Sequence, residues 1–211
     1  MTVISPTVTA TDIESFNAQC RLVCSFADRI HIDLMDGEFA PTQSPEISEL
    51  VLQTDKTIDI HLMYKNPSLV INQLIELKPN LVIVHAETDT DIPFFAATLR
   101  AQGIKTGIAL LPDTTPASVN YILPHVQHAL VFGGHLGYHG GHADLTQLEK
   151  VAMLKKLHPY LEIGWDGGAN LKNIEQIARA GIDVINVGGA IHKSDSPETT
   201  YATMKATLAS V

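Results

Sequence analysis

Ile30-His31-Ile32-Asp33-Leu34-Met35-Asp36-Gly37 begins like a strand and ends like a turn. Side chains alternate between the faces of a strand, so His31 and Asp33 point the same way just before the chain breaks at Asp36-Gly37. An imidazole beside a carboxylate at a strand end can hold a divalent metal or move a proton. Ile58-Asp59-Ile60-His61-Leu62-Met63 repeats the pattern with a histidine near its end, and Ile163-Gly164-Trp165-Asp166-Gly167-Gly168 repeats it with an aspartate. Three apolar strands thus close on residues suited to ligation or proton transfer.

Outward from these three, apolar runs alternate with helical periodicity. Strands are expected over 3–8, 29–33, 57–63, 80–84, 106–110, 128–132, 161–165 and 184–187. Between them the pattern predicts a helix after a cap at Thr11 or Asp12, a short one through Ile47, Leu50 and Val51, and one opened by Asn66-Pro67. Further helices are expected from Asp91 to Gly103, from about Pro116, through Leu145–Leu154, from a cap at Asn170 to Gly181, and over Pro197–Leu208. Eight such units of about 26 residues suit a (β/α)8 TIM barrel. Apolar strand runs suit parallel strands buried on both faces. A doubly wound open sheet is the alternative. With no linker or low-complexity stretch, one domain spanning residues 1–211 is expected.

Hydrophobic residues at 45% of the 211 supply a core, although aromatics are only 6%. A net charge of −9 with no lysine or arginine cluster argues against nucleic acid and anionic membrane as partners. No basic segment precedes an apolar run at the N-terminus, and no apolar run reaches membrane-spanning length, so a cytoplasmic protein is expected. Cys20 and Cys24, one helical turn apart with no second pair, are expected to be packed thiols.

In a barrel of this kind chemistry sits at the C-terminal strand ends. His31, Asp33, His61 and Asp166 then meet at the mouth from the second, third and seventh strands, with Asp33 and Asp166 nearly across the ring. Two imidazoles and two carboxylates suit one divalent transition metal, Zn²⁺ or Fe²⁺ first and Mn²⁺ or Co²⁺ next. The bland alternative is a hydrogen-bonded polar filling of the barrel top; four such residues from three strand ends favour a site. Gly167-Gly168, Gly188-Gly189 and the loop from Gly137 to Gly141 follow the seventh, eighth and sixth strands, where backbone N–H groups commonly cradle phosphate. His135, His139 and His142, with only Asp144 nearby, are expected to be solvated loop histidines rather than a second metal site. His85 and Glu87, at the fourth strand's end, are expected behind the ligands.

Several of these stretches, in order and over nearly the whole chain, resemble the signatures of the ribulose-phosphate 3-epimerase family. They are His31 through Pro41, Asp59 through Met63 with Asn66-Pro67, Ala109-Leu110 with Pro112, Asp166 through Asn170, and Gly188-Gly189-Ala190-Ile191, where the family usually has Gly-Ser. The resemblance implies an isomerase of the pentose phosphate pathway that interconverts D-ribulose 5-phosphate and D-xylulose 5-phosphate. It implies a metal held by His31, Asp33, His61 and Asp166, with Asp33 and Asp166 as the acid/base pair. It implies substrate contacts from His61, Gly137, Tyr138, His139, Gly140, Gly167, Gly168, Gly188 and Gly189, with Met35 and Met63 over the intermediate. Inverting C3 needs a proton removed from one face and another returned to the other, which suits two carboxylates.

The chain also departs from that pattern. Ala10 stands in the pocket lining where a serine is usual, so a hydrogen bond to the sugar is lost unless Thr9 or Thr11 supplies it. Phe132 replaces a methionine, His135-Leu136 replaces Asn-Pro, and His139 stands where glycine is usual. Two alternatives follow: a 3-epimerase of another ketose phosphate such as a 2-ketohexose 6-phosphate, and a phosphosugar-binding relative without catalysis. A decarboxylase or aldol-type synthase on a related barrel is disfavoured, because Asp33-Leu34-Met35-Asp36 lacks the lysine of their Asp-x-Lys-x-x-Asp pattern. The expected partner is a small sugar phosphate, and self-association into a homo-oligomer is compatible with such barrels.

Overall fold

The computed structural model describes residues 2–52, 55–137 and 141–209. Among them eight parallel strands close into a barrel in sequence order: β1 (Val3–Thr9), β2 (Arg29–Met35), β3 (Thr57–Met63), β4 (Leu81–His85), β5 (Lys105–Leu110), β6 (His128–Phe132), β7 (Glu162–Asp166) and β8 (Val184–Val187). β8 returns beside β1, with Pro6 opposite Val187, which excludes the open sheet. The helices are α1 (Ile13–Cys24), α2 (Ile71–Leu77), α3 (Ile92–Arg100), α4 (Glu149–Leu157), α5 (Ile174–Arg179), α6 (Gly189–His192) and α7 (Pro197–Leu208). No helix among the described residues is long and apolar enough to cross a membrane.

Local chemistry accounts for most boundaries. Asp12 caps α1 by accepting from the Ser15 amide at 2.8 Å, and Asp91 caps α3 in the same way from Phe94 at 3.0 Å. Two expectations fail. No helix forms from Pro116: residues 113–122 run as turns and end in the 3-10 turn Leu123–His125. Pro116 would suit a helix start, but Pro124 falls inside the expected helix and withholds an amide donor there. Asn170 does not cap a helix either; its side chain accepts from Lys172 in a turn, and α5 starts four residues later. Cys20 and Cys24 are free and pack against the core, where burial pushes the Cys20 thiol up to about 12.

The main core lies between the barrel wall and the helices and includes Ile30, Ile32, Leu34, Ile60 and Leu62. Alternate residues on the same strands turn inward, and there the filling is unusual. Leu81, Ile83, Ala109 and Leu130 form a small apolar wedge on the β4–β6 side. Below it, Arg29 reaches across the barrel. It donates through Nε to Asp59 at 2.6 Å and forks onto both Glu162 oxygens at 2.8 Å each, while His128 Nδ1 contacts Glu162 at 2.8 Å. Arg29 is half-buried, and two carboxylates meet its fork.

Burial alone would raise the Glu162 carboxyl, but hydrogen bonds from Arg29 and His128 outweigh it and hold the group well below the ordinary value of 4.5. A depressed folded-state pKa stabilises the fold above the unfolded value and loses that contribution as pH falls. The urea midpoint of the metal-free chain is therefore expected to drop between about pH 5 and pH 3. Glu162→Gln should lower the midpoint at pH 6 and flatten the drop. An equally steep drop in that variant would contradict the role given to Glu162.

Candidate active site

The parallel register sets polar side chains side by side at the barrel top: Thr9 pairs with Asp33, and Asp33 with His61. Asp166 arrives from β7, three steps from β2 around the ring by way of β1 and β8. His31 Nε2 lies 3.3 Å from Asp33 and 3.7 Å from Asp166, and His61 Nδ1 lies 3.1 Å and 3.4 Å from the same two carboxylates. Both rings are fully buried, while the carboxylates keep slight exposure. The four donor atoms lie within 4.8 Å of one another. Donors bound to one ion at about 2.0–2.2 Å sit about 3–4 Å apart, so the residues fit a divalent metal. Among the described residues they form the one such cluster, and Asp144, thought of beside the loop histidines, is engaged by Thr146 and Gln147.

The electrostatics follow from burial and contact. Burial would raise the Asp33 carboxyl, but hydrogen bonds from His31 and His61 hold it far below the usual carboxylate range. Burial would lower His61, but Asp166 and Asp33 together raise it to about 9. His61 thus stays protonated between its carboxylates unless another cation takes the proton's place. His85, at the end of β4, is pushed down to about 4 by burial, against the pull of Glu87.

A cavity of about 290 Å³ opens above the cluster, at the small end for ligand sites. Asp33, Asp166, Met35 and Met63 line it. Gly137, Gly167, Gly168, Gly188 and Gly189 line it too, so the structure brings together the metal-type residues and the glycines. Tyr138, His139 and Gly140 lie outside the described residues. His61 lies beneath the cavity rather than in its wall. Ala10 is buried and lines a smaller neighbouring cavity that shares Thr9, Met35 and Gly137 with this one, while in the wall of the main cavity Thr9 stands beside Asp33. Thr9 donates to Asp33 Oδ2 at 2.6 Å, and Gln19 of α1 clamps its backbone at both N and O.

Thr7, Asn186 and Lys193 are further lining residues that the sequence reading missed. Two of them carried a signal: Thr7 shares the inward face with Thr9, and Asn186 is polar within an apolar strand. Thr7 Oγ1 and Asn186 Oδ1 are buried without a protein partner, leaving two open hydrogen-bonding positions in the wall.

The loops after β6 and β7 touch backbone to backbone. Gly167 has φ +118°, and a Cβ there would lie 2.2 Å from the Gly134 nitrogen. Trp165 Nε1 donates to the Gly167 carbonyl at 2.9 Å, and Asn170 and Asn173 donate to that of Gly168 at 2.9 and 3.0 Å. These contacts aim Asp166. Over the other side, Met35, Ala40 and Met63 pack with Phe39 and Leu136 as an apolar cover.

The profile of the ribulose-phosphate 3 epimerase family matches residues 3–192. The chain belongs to this family. It is thereby an isomerase of the class acting on carbohydrate phosphates. The ribulose-phosphate 3-epimerase of Helicobacter pylori strain J99 is 32% identical over 198 residues, covering 90% of this chain and 91% of the relative. That of Mycobacterium tuberculosis strain H37Rv is 32% identical over 209 residues, covering 96% and 91%. Among solved structures, the 3-keto-L-gulonate-6-phosphate decarboxylase of Vibrio cholerae O1 superposes with a TM-score of 0.75 at 12% identity, over 99% of this chain and 98% of that one. At that identity the likeness concerns the fold alone.

Gly167→Ala should cost about 1–3 kcal/mol, because it combines a left-handed backbone with a clash against a neighbouring backbone. Chemical denaturation reads this directly. An unchanged midpoint would mean that the two loops are not in the close contact described.

Proposed function

We propose that the chain is a single-domain, cytoplasmic, metal-dependent 3-epimerase that interconverts D-ribulose 5-phosphate and D-xylulose 5-phosphate. One observation carries the reading: Asp33 and Asp166, from strands on different sides of the barrel, line one cavity and share the same two imidazoles at 3.1–3.7 Å. A ketose lying between them would present opposite faces of C3 to the two carboxylates. One, ionised, takes the C3 proton; the other, protonated, delivers a proton to the opposite face; reversal exchanges their roles.

His31, Asp33, His61 and Asp166 would hold the metal, Zn²⁺ or Fe²⁺ by donor type, and a bound ion supplies Lewis-acid stabilisation for the charge of the 2,3-enediolate. Thr9 holds Asp33 by its second oxygen, so the carboxylate keeps its orientation when its charge changes. Met35, Met63 and Phe132 give the cavity an apolar side that excludes water from the enediolate. Gly167, Gly168, Gly188 and Gly189 offer close backbone approach for the phosphate, with Lys193 in the same wall.

In D₂O, the metal-loaded chain should exchange the C3 proton of D-ribulose 5-phosphate and form product, followed by NMR. Asp33→Asn and Asp166→Asn should each lower the rate by at least about 10²–10⁴-fold. Removing metal with a chelator should abolish exchange, and adding it back should restore it. Preference for a 2-ketohexose 6-phosphate would move the assignment to that substrate. Tight sugar-phosphate binding without exchange would replace the enzyme by a binding protein.

A further inference from the structure

We propose that Glu87 and His85 form a positioning chain that fixes the tautomer of His61, so that His61 presents Nδ1 as a lone-pair donor to the metal. The inference rests on the metal reading above and assigns roles to two residues outside the ligand set. It follows from counting hydrogens. His61 is fully buried and turns Nδ1 toward Asp33 and Asp166, while its Nε2 lies 2.8 Å from Nε2 of the equally buried His85. Two imidazole nitrogens at that distance share one hydrogen, one donating and the other accepting. If His61 Nδ1 is to bind a cation, the ring hydrogen sits on its Nε2, and His85 Nε2 must accept.

The hydrogen of His85 then belongs on its Nδ1. That atom is buried without a hydrogen-bond partner in ideal geometry and faces Glu87 Oε2 at 3.5 Å. Glu87 is held in turn. Its Oε1 accepts from the Leu111 amide at 3.2 Å and from the Thr114 hydroxyl, which leaves Oε2 for His85. With His61 Nδ1 bound to a cation, a hydrogen on His85 Nε2 fails at both ends: it sets two N–H groups against each other between the rings and turns a lone pair of His85 toward a carboxylate. Phe39 lies over the His85 ring at 4.8 Å and Phe132 meets it edge-on at 5.9 Å, so the ring is held from two sides. When His61 is protonated its Nε2–H still donates to His85, so one arrangement serves the metal-free and metal-loaded chain. Neither His85 nor Glu87 lines the cavity, so both act through His61.

The test uses the purified chain in two measurements. Long-range ¹H–¹⁵N correlation spectra should find His85 neutral with its hydrogen on Nδ1. Co²⁺ titration, read by the visible absorption of the bound ion, should give affinities weakened about 10–100-fold in His85→Leu and Glu87→Gln. His85→Gln, whose amide oxygen can accept from His61, should stay within a few-fold of the parent. Metal-free melting curves report whether each variant folds; if His85→Leu does not, the parent's tautomer and Glu87→Gln decide. His85 carrying its hydrogen on Nε2, or a folded His85→Leu or Glu87→Gln with unchanged affinity and spectrum, would overturn the proposal. A parent chain that binds no Co²⁺ would overturn the metal reading itself, and this chain of residues with it.

Discussion

Charge inside the barrel is the constraint on which the rest of the structure depends. At the lower end one guanidinium faces two carboxylates; at the upper end two carboxylates face two imidazoles, with a third behind. At the upper end, where both imidazoles are fully buried, an unpaired ion would cost several kcal/mol, so each group there is tolerable only in company. Parallel register supplies that company. It levels Thr9 with Asp33 and Asp33 with His61, and closure of the ring brings Asp166 to the same place. An apolar wedge fills the β4–β6 side of the interior.

From this constraint the loops inherit their design. Asp166 closes β7, and glycine at 167 allows the loop after β6 to press against the backbone of the turn that follows. Trp165, Asn170 and Asn173 then hold the turn by its carbonyls. Opposite, Thr42 donates to the Gly137 carbonyl at 2.9 Å, tying the loop after β2 to the loop after β6. The cavity between these loops is polar toward the carboxylates and apolar toward the methionines. That division suits a small ligand whose reacting carbon must lose and regain protons away from water.

Much of this was legible in the sequence because strand alternation is a local rule. His31, Asp33, His61 and Asp166 could each be placed at a strand end from their neighbours alone, and the eight apolar runs gave the barrel. What stayed hidden depends on partners far apart in the chain. Arg29 looks like an exposed charge at a strand start until the ring closes and sets Glu162 opposite. His85 could be placed at a strand end, but not its contact with His61. Thr7 and Asn186 acquire a role only when they face the cavity. The helix expected from Pro116 illustrates the converse error: a proline suited to a helix start is followed instead by turns that run into Pro124.

The central claim is that four side chains from β2, β3 and β7 make one ion site at the mouth of the barrel. Anomalous diffraction from crystals of the Co²⁺-loaded chain tests it most directly. The account predicts one principal peak within bonding distance of His31 Nε2, Asp33, His61 Nδ1 and Asp166. A peak ligated elsewhere, or His61 and Asp166 turned away from a bound ion, would contradict it.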